Sequence, residues 1–525
     1  MNPFLKNLII NLSLIALGAL FTLCFAPFRY FLLGFLAFPV AYHFIINSKS
    51  SKQAFNRGFL FSMGHHVSGL YWVANSLLIE ADKFAWLVPF AVLLLPAYLS
   101  LFVGGVSILT YRSKLTFYSR MVYFAGIWTF AEIARTYLFT GFPWNLSGMV
   151  FITRPEFASF ASVVGVYGLS FIAILFYTTP YTFYENLHNI RHNGPMRAAL
   201  SMKYFLPILV FSMASGLNGL NRMKNDETDV NIRIVQPSIP QIDKFDINKV
   251  QRNNQRYESL TQQPSKIEGF MPNIIVWPEA ATPYYFERDN WLSEVLSAMI
   301  PPQSHLILGS LRADTTLPDS VNAYNSVRIV SAGTGLLPEY YDKAHLVPFG
   351  EYIPLRSLFP NVEKLTHGMG DFAHGSGNKN LELPNAPPFL PLICYEVIFS
   401  PRVAGKDFTS LEKRPGWILN VTNDSWFGDS TGPHQHLDIT RMRAIESGLP
   451  VIRAANNGIS AVIDAYGRVV QSLPYNEIGI IDAKLPKALP EPTFYSKHGL
   501  KVPLIGIFAI IFWIRLKNRL KIVNS

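Results

Sequence analysis

The chain of 525 residues predicts an α-helical membrane bundle of about eight transmembrane helices, with an α/β sandwich domain inserted before the last helix. Three observations carry this prediction. Hydrophobic residues make up 50% of the chain and charged residues only 15%, which excludes disorder and points to a membrane protein carrying a folded domain. Apolar runs long enough to cross a hydrocarbon core, about 20 helical residues each, crowd the N-terminal part of the chain. From residue 222 to 498 the pattern changes to short β-rich runs separated by polar stretches.

The candidate spans lie near 8–26, 30–47, 55–79, 84–110, 119–140, 155–183 and 203–220, with an eighth at 502–514 between Lys501 and Arg515. Cys24 falls inside the first run and reads as a small packing hydrophobe. Thr22 and Leu23 before it are not the small residues of a lipoprotein-type cleavage box, so this run reads as a retained span. Loop charges set the orientation. Lys6, then Lys49, Lys52 and Arg57, then Arg112, Lys114 and Arg120, then Arg191, Arg197 and Lys203, then Arg515, Lys517, Arg519 and Lys521 fall at the start, after every even span and at the end. The alternate loops carry Arg29 alone, Glu80 and Asp82 with Lys83, and Arg154 with Glu156. The positive-inside rule then places both termini in the cytoplasm and the 222–498 insert outside it. The expected division is a seven-helix membrane domain at 1–221, the inserted domain at 222–498, and the eighth helix with a basic tail at 499–525. The net charge of +10 punctuates apolar runs and forms no stripe, so nucleic acid is not an expected partner.

Within the insert, NIRIVQ, NIIVWPE, HLILGS, AYNSVRIV, PLICYEV, GWILNVTND, PVIRAANNG, ISAVIDAYGRVV and IGIIDAKL read as strands. Their near-continuous apolar character implies a sheet covered on both faces. Helices are expected at 246–262 and 434–448, and the Gly-, Pro- and Asn-rich stretch 351–390 reads as a loop that could include a lid.

Three strand ends present reactive groups: Glu279 in VWPEAATPYY, Lys343 in YYDKAHLVPFGEY and Cys394 in LICYEV. A thiol is mostly protonated at neutral pH; a neighbouring ammonium favours the thiolate, and a carboxylate in reach could take the proton. The lysine could equally stabilise the oxyanion of a tetrahedral intermediate. Each residue alone is more simply structural, and their joint occurrence is what favours covalent acyl transfer. Two cysteines supply neither a disulfide framework nor a Cys-rich zinc site. HQH at 434–436 and the His65–His66 pair lack the HExxH spacing, so no metal and no cofactor is expected.

WPE, YDKxHLVPFGEY, CYE and NVTNDSWFG resemble the carbon-nitrogen hydrolase (nitrilase) superfamily, whose fold is an αββα sandwich with a Glu, Lys, Cys catalytic set. The membrane spans and QPSIPQIDKF at 236–245 narrow the resemblance to the apolipoprotein N-acyltransferase family of the bacterial inner membrane. It implies Glu279 as general base, Lys343 as oxyanion-stabilising cation and Cys394 as nucleophile. Glu351 resembles the family's additional glutamate, which would hold Lys343 and the thiol in position. Tyr395 and Glu396 resemble the partners that follow the nucleophile, or they serve only to fix the turn. Phe245 stands where the family often has Trp, and Ala280 where Ser is frequent; Phe245 is a candidate lipid contact. Trp144 in GFPWNLSG would line a lipid entrance or anchor at the interface. The implied donor is a phospholipid, phosphatidylethanolamine through its sn-1 chain, and the implied acceptor a diacylated apolipoprotein. A membrane-tethered amide or nitrile hydrolase shares the same three residues, and a noncatalytic transporter is a further alternative. Glu132 and Arg135, three apart in the fifth span, fit either a functional site or mutual pairing.

Overall fold

A computed structural model describes residues 2–193 and 226–523, apart from 290, 315–322, 359, 361, 367–369 and 410–412. The chain divides into two compact units, one formed by 1–74, 82–223 and 498–525, the other by 75–81 and 224–497.

The first unit is helical. Its main helices are Pro3–Thr22, Gly34–Ile46, Ser51–Leu70, Val88–Arg112, Phe117–Tyr137, Ala161–Asn193 and Lys501–Val523. Pro3–Thr22 and Ser51–Leu70 approach so closely that a Cβ on Gly18 would lie 1.9 Å from the Phe61 carbonyl oxygen, and one on Gly64 1.9 Å from that of Ile15. Small residues of this kind let helices touch backbone to backbone.

Among the described residues three helical stretches are long and apolar enough to cross a membrane, Pro3–Thr22, Ala81–Arg112 and Ala161–Thr182. The expectation of about eight spans therefore gains only partial support. Ser51–Leu70 and Phe117–Tyr137 fall short because they carry Arg57, His65 and His66, and Glu132 and Arg135, all of them buried inside the unit. The expected span at 203–220 lies outside the described residues.

The second unit is an α/β sandwich of two six-stranded sheets. The strands are β1 (Glu227–Gln236), β2 (Ile274–Tyr285), β3 (His305–Ala313), β4 (Ala323–Ser331), β5 (Gly335–Asp342) and β6 (Leu381–Leu383). They continue as β7 (Ala386–Ile393), β8 (Trp417–Thr422), β9 (Val451–Ala455), β10 (Ser460–Ile463), β11 (Val469–Leu473) and β12 (Gly479–Pro486). One sheet has the order β12-β1-β2-β3-β4-β5 and the other β11-β10-β9-β8-β7-β6. Each has a parallel centre, β1-β2-β3 and β7-β8-β9, flanked by antiparallel strands.

Alternation along β2 explains its unbroken apolar run. Ile274 and Val276 join the core between the sheets with Ile232, Ile307, Phe389, Trp417 and Leu419. Ile275 and Trp277 point the other way, under Tyr257 and Leu260 of helix Val250–Gln262 and Leu292 and Leu296 of helix Trp291–Met299. Helix Thr431–Ser447, buried along most of its length, belongs to the half of the unit built on the second sheet. The stretch expected as loop at 351–390 holds β6 and the start of β7.

Candidate active site

The middle of β2, the start of β4 and the residues directly after β5 and β7 supply the polar groups, so Glu279 is not at a strand end as the sequence suggests. Glu279 is six residues into β2, where the next residue, Ala280, takes a positive φ of 45° and bends the strand. The neighbouring strand has to come close there, since a Cβ on Gly309 would lie 2.5 Å from the Glu279 Cα. Lys343 directly follows β5, and its main chain is tied to β4 by a bond from its N–H to the Asn325 carbonyl (2.8 Å). Cys394 directly follows β7 and starts a short helical turn, Cys394–Ile398. Its φ is +49°, a left-handed conformation that costs a non-glycine residue roughly 1–3 kcal/mol.

The charged groups form one buried cluster. Glu279, Lys343 and Glu351 are exposed by 6%, 1% and 4%. The Lys343 ammonium donates to Glu351 Oε1 (2.9 Å) and more distantly to Glu279 Oε1 (3.4 Å). Asn325 Nδ2 bridges the same two carboxylates, at 2.7 Å from Glu279 Oε1 and 3.0 Å from Glu351 Oε1. Glu351 is completed by the Val347 N–H, which donates to its Oε2 (2.8 Å). Glu279 Oε2, although buried, has no hydrogen-bond partner among the described residues. Lys244 adds a second buried ammonium, donating to the Glu279 main-chain carbonyl (2.6 Å).

Burial works against the Lys343 ammonium, but Glu351 and Glu279 outweigh it and hold its pKa above the ordinary lysine value. Burial lowers Lys244 to about 8, opposed by Glu279 and Cys394. Burial also pushes the Cys394 thiol up to about 12, the Glu279 carboxylate pushes the same way, and Lys343 opposes them. The Lys343 ammonium thus acts in the expected direction, favouring the thiolate. Desolvation, with the Glu279 charge added to it, outweighs that attraction, so the resting group is a neutral thiol.

Glu396 is fully buried and ties the Lys343 and Cys394 segments together. Its carboxylate accepts from the main-chain N–H groups of Ile393 (2.9 Å), Ala344 (2.9 Å) and His345 (3.1 Å), from the Tyr341 hydroxyl (2.8 Å), and from Arg402. Tyr395 is buried near His345 and Phe399. Phe245 is half-buried, with the Lys244 ammonium 5.9 Å from its ring centre.

Other candidates are placed elsewhere. Trp144 is 1% exposed inside the helical unit, packed on Trp72 (4.8 Å between ring centres) and Phe142 (5.8 Å), which does not suit an interface anchor. Glu132 and Arg135 are 4.0 Å apart. Glu132 also accepts from Trp128 Nε1 (3.1 Å) and from the N–H (2.9 Å) and hydroxyl (2.7 Å) of Ser147, while Arg135 lies 3.1 Å from His66 Nε2. His436 sits against Asp424 and Arg453. Among the described residues no group of three His, Cys, Asp or Glu side chains could hold a metal ion.

Sequence reasoning missed Asn325 and Lys244. Both stand in stretches already quoted, AYNSVRIV and QPSIPQIDKF, and the only signal for either is a polar group next to an apolar strand or turn.

Residues 17–178 match the family described as the apolipoprotein N-acyltransferase N-terminal domain, and residues 231–493 match the carbon-nitrogen hydrolase family. An apolipoprotein N-acyltransferase of Rhodopseudomonas palustris is 36% identical over 521 residues, covering 96% of this chain and 94% of the relative. One of Bradyrhizobium diazoefficiens is 37% identical over 525 residues, with the same coverage of 96% and 94%. A crystal structure of an amidase from Nesterenkonia sp. aligns with 50% of this chain and 92% of its own at 17% identity and a TM-score of 0.35. The carbon-nitrogen hydrolase match agrees with the two-sheet α/β architecture, and the N-terminal match with the apolar helices of a membrane protein. Related at this level along nearly its entire length, the chain belongs to the apolipoprotein N-acyltransferase family.

Proposed function

We propose that this protein moves a fatty acyl chain from a phospholipid to the N-terminal amine of a diacylated apolipoprotein by way of a thioester on Cys394. The observation that carries the chemistry is the free Oε2 of Glu279, in a cluster whose charges act on the Cys394 thiol. In the first half-reaction Glu279 takes the thiol proton as the sulfur attacks the ester carbonyl. Lys343, held by Glu351 and Asn325's bridge, faces the oxyanion. The ester C–O bond breaks, the leaving alkoxide takes the proton from Glu279, and a lysophospholipid departs. In the second half-reaction the α-amine of the lipid-bearing N-terminal cysteine attacks the thioester. Glu279 accepts the amine proton and returns it to the Cys394 sulfur as the amide forms.

Phosphatidylethanolamine, through its sn-1 chain, is the proposed donor. The proposed setting is the bacterial inner membrane, with about eight spans, both termini cytoplasmic as the loop lysines and arginines favour, and the 222–498 domain periplasmic. Holding both substrates by their acyl chains at the bilayer raises their effective concentration. Restricted water protects the thioester.

Purified protein incubated with a phospholipid of defined chains should gain the mass of one acyl group on Cys394, and a diacylated lipopeptide should then discharge it onto its amine. A folded protein that gains no adduct refutes the thioester; discharge to water alone makes the protein a hydrolase.

A further inference from the structure

The stretch of β2 that carries Glu279 leaves the sheet. From Trp277, opposite Leu308, to Thr282, opposite Ser310, β2 advances five residues while β3 advances two. Pairing with β1 has already stopped at Val276, so among the described residues neither neighbouring strand pairs with 278–281. Strict alternation would send the Glu279 side chain the way of Ile275, Trp277 and Ala281, under the helices. Its carboxylate instead meets Asn325, which shares a face of β4 with Val327 and Ile329 in the core between the sheets. The extra residues of the bulge and the left-handed Ala280 make that change of direction.

Such a bulge takes the Glu279 carbonyl out of the ladder, and the Lys244 ammonium donates to it at 2.6 Å. Lys244 is itself buried, and among the described residues this carbonyl is the one hydrogen-bond acceptor its ammonium has. Burial draws its pKa down to about 8 against Glu279 and Cys394, which favour the charge, so the group is an ammonium at neutral pH. A buried ammonium with a single neutral acceptor is a costly group to keep for stability alone.

The segment that carries Lys244 is held in place from the second sheet. Asn456, directly after β9, accepts from the Ile239 N–H (3.1 Å) and donates to the Ile239 carbonyl (2.8 Å) and to Asn423 Oδ1 (3.0 Å). Asn423, directly after β8, donates to Gln241 Oε1 (2.6 Å), and Asn253 donates to the Asp243 carbonyl (2.8 Å). Lys244 therefore meets the bulge from a fixed support.

We infer that Lys244 is a positioning residue for the general base: its ammonium, in place of a ladder donor at the Glu279 carbonyl, holds the β2 bulge in the form that turns the Glu279 carboxylate between the sheets. The inference rests on Glu279 being the base and Cys394 the nucleophile of the proposed reaction.

The test is single-turnover acylation of Cys394 in the purified full chain by a phospholipid of defined chains, followed by intact mass. Lys244→Met keeps an unbranched side chain without the donor. It is expected to lower the saturating rate about 100-fold, the scale of an ångström-level misplacement, with the half-saturating lipid concentration changed less than about twofold. Added to Glu279→Gln, the same substitution should cost less than about threefold, because a residue that acts through the base has nothing left to position. Where Lys244→Met gives no folded protein, Lys244→Gln, neutral and one bond shorter, decides by the same two criteria. A saturating rate within about threefold of the parent protein overturns the inference, and so does a loss that persists in full beside Glu279→Gln. The two readings fail differently: a parent protein that is never acylated refutes the nucleophile and the inference with it, whereas a parent and Lys244 variants acylated alike refute only the role of Lys244.

Discussion

Replacing Glu279 by Gln should move two properties of Cys394 in opposite directions. The thiol stands at about 12 against an ordinary 9.0, so near pH 8 its thiolate fraction is about a thousandfold below that of an unperturbed thiol, or about 4 kcal/mol. Burial is the largest cause of that rise and Glu279 the second, with Lys343 opposing. Glu279→Gln removes the carboxylate charge and leaves Lys343 paired with Glu351, so the thiol pKa falls part of the way back. Alkylation of Cys394 by iodoacetamide at pH 8, which needs only thiolate, should therefore speed up, by at most about a thousandfold. Acyl transfer needs a proton acceptor and should slow by about 10²–10⁴-fold. The assay is intact mass after timed exposure to each reagent, with peptide mapping to separate Cys394 from Cys24. Loss of both reactivities in a folded variant, or acylation at the parent rate, would refute the assignment of Glu279 as base.

Glu351→Gln weakens the ammonium's main support while keeping a side chain that can meet the Val347 N–H. It should lower kcat about 10²-fold with little change in KM, and a KM effect alone would contradict a transition-state role for Lys343. Glu396→Ala leaves Arg402 and three main-chain N–H groups without their acceptor; a destabilisation of about 3–5 kcal/mol is expected from thermal unfolding in detergent, and an unchanged midpoint would count against it. For Asp424, burial is outweighed by Arg453 and His436, which hold its pKa down at about 2 from an ordinary 3.8. Because the folded value is the lower one, the stabilisation of about 2 kcal/mol is complete above pH 4 and is lost as pH falls through 2. The gap in unfolding midpoint between the parent protein and Asp424→Asn should accordingly narrow on acidification through that window, and a constant gap would refute the shift.

What could be read from the chain follows the range of the interactions involved. Glu279, Lys343, Cys394 and Glu351 were legible because each stands beside an apolar strand or in a short motif with a chemical meaning of its own. Helix Thr431–Ser447 was legible within three residues at its start, and Gly448, with φ 68°, ends it. Asn325 and Lys244 were not legible, because their significance lies in partners that folding brings close. Lys244 bonds a carbonyl 35 positions away and Asn325 joins carboxylates 46 and 26 positions away. The histidine at 436 looked like half of a metal motif; its partners Asp424 and Arg453 come from separate elements. The span count gains only partial support for a related reason. Apolar runs containing Arg57 or Glu132 look like spans interrupted by charge until folding buries those groups among polar neighbours.

A neutral resting thiol bears on both halves of the proposed reaction. Two half-reactions make opposite demands on Cys394: it must be deprotonated on demand as it attacks, and it must leave as a stable sulfur when the amine displaces it. A thiol fixed at about 12 would satisfy neither, since a basic thiolate is also a poor leaving group. The charges around it resolve the conflict by moving with the proton. While Glu279 is ionised it repels a thiolate and accepts a proton; once it has taken the proton, from the thiol in the first step or the amine in the second, that repulsion is gone and the attraction of Lys343 remains. Each proton transfer to Glu279 therefore lowers the thiol pKa at the moment when negative sulfur must exist, as attacking group first and as leaving group later. A lysine clamped by Glu351 rather than by Glu279 alone suits this cycle, because its position does not depend on which state Glu279 is in.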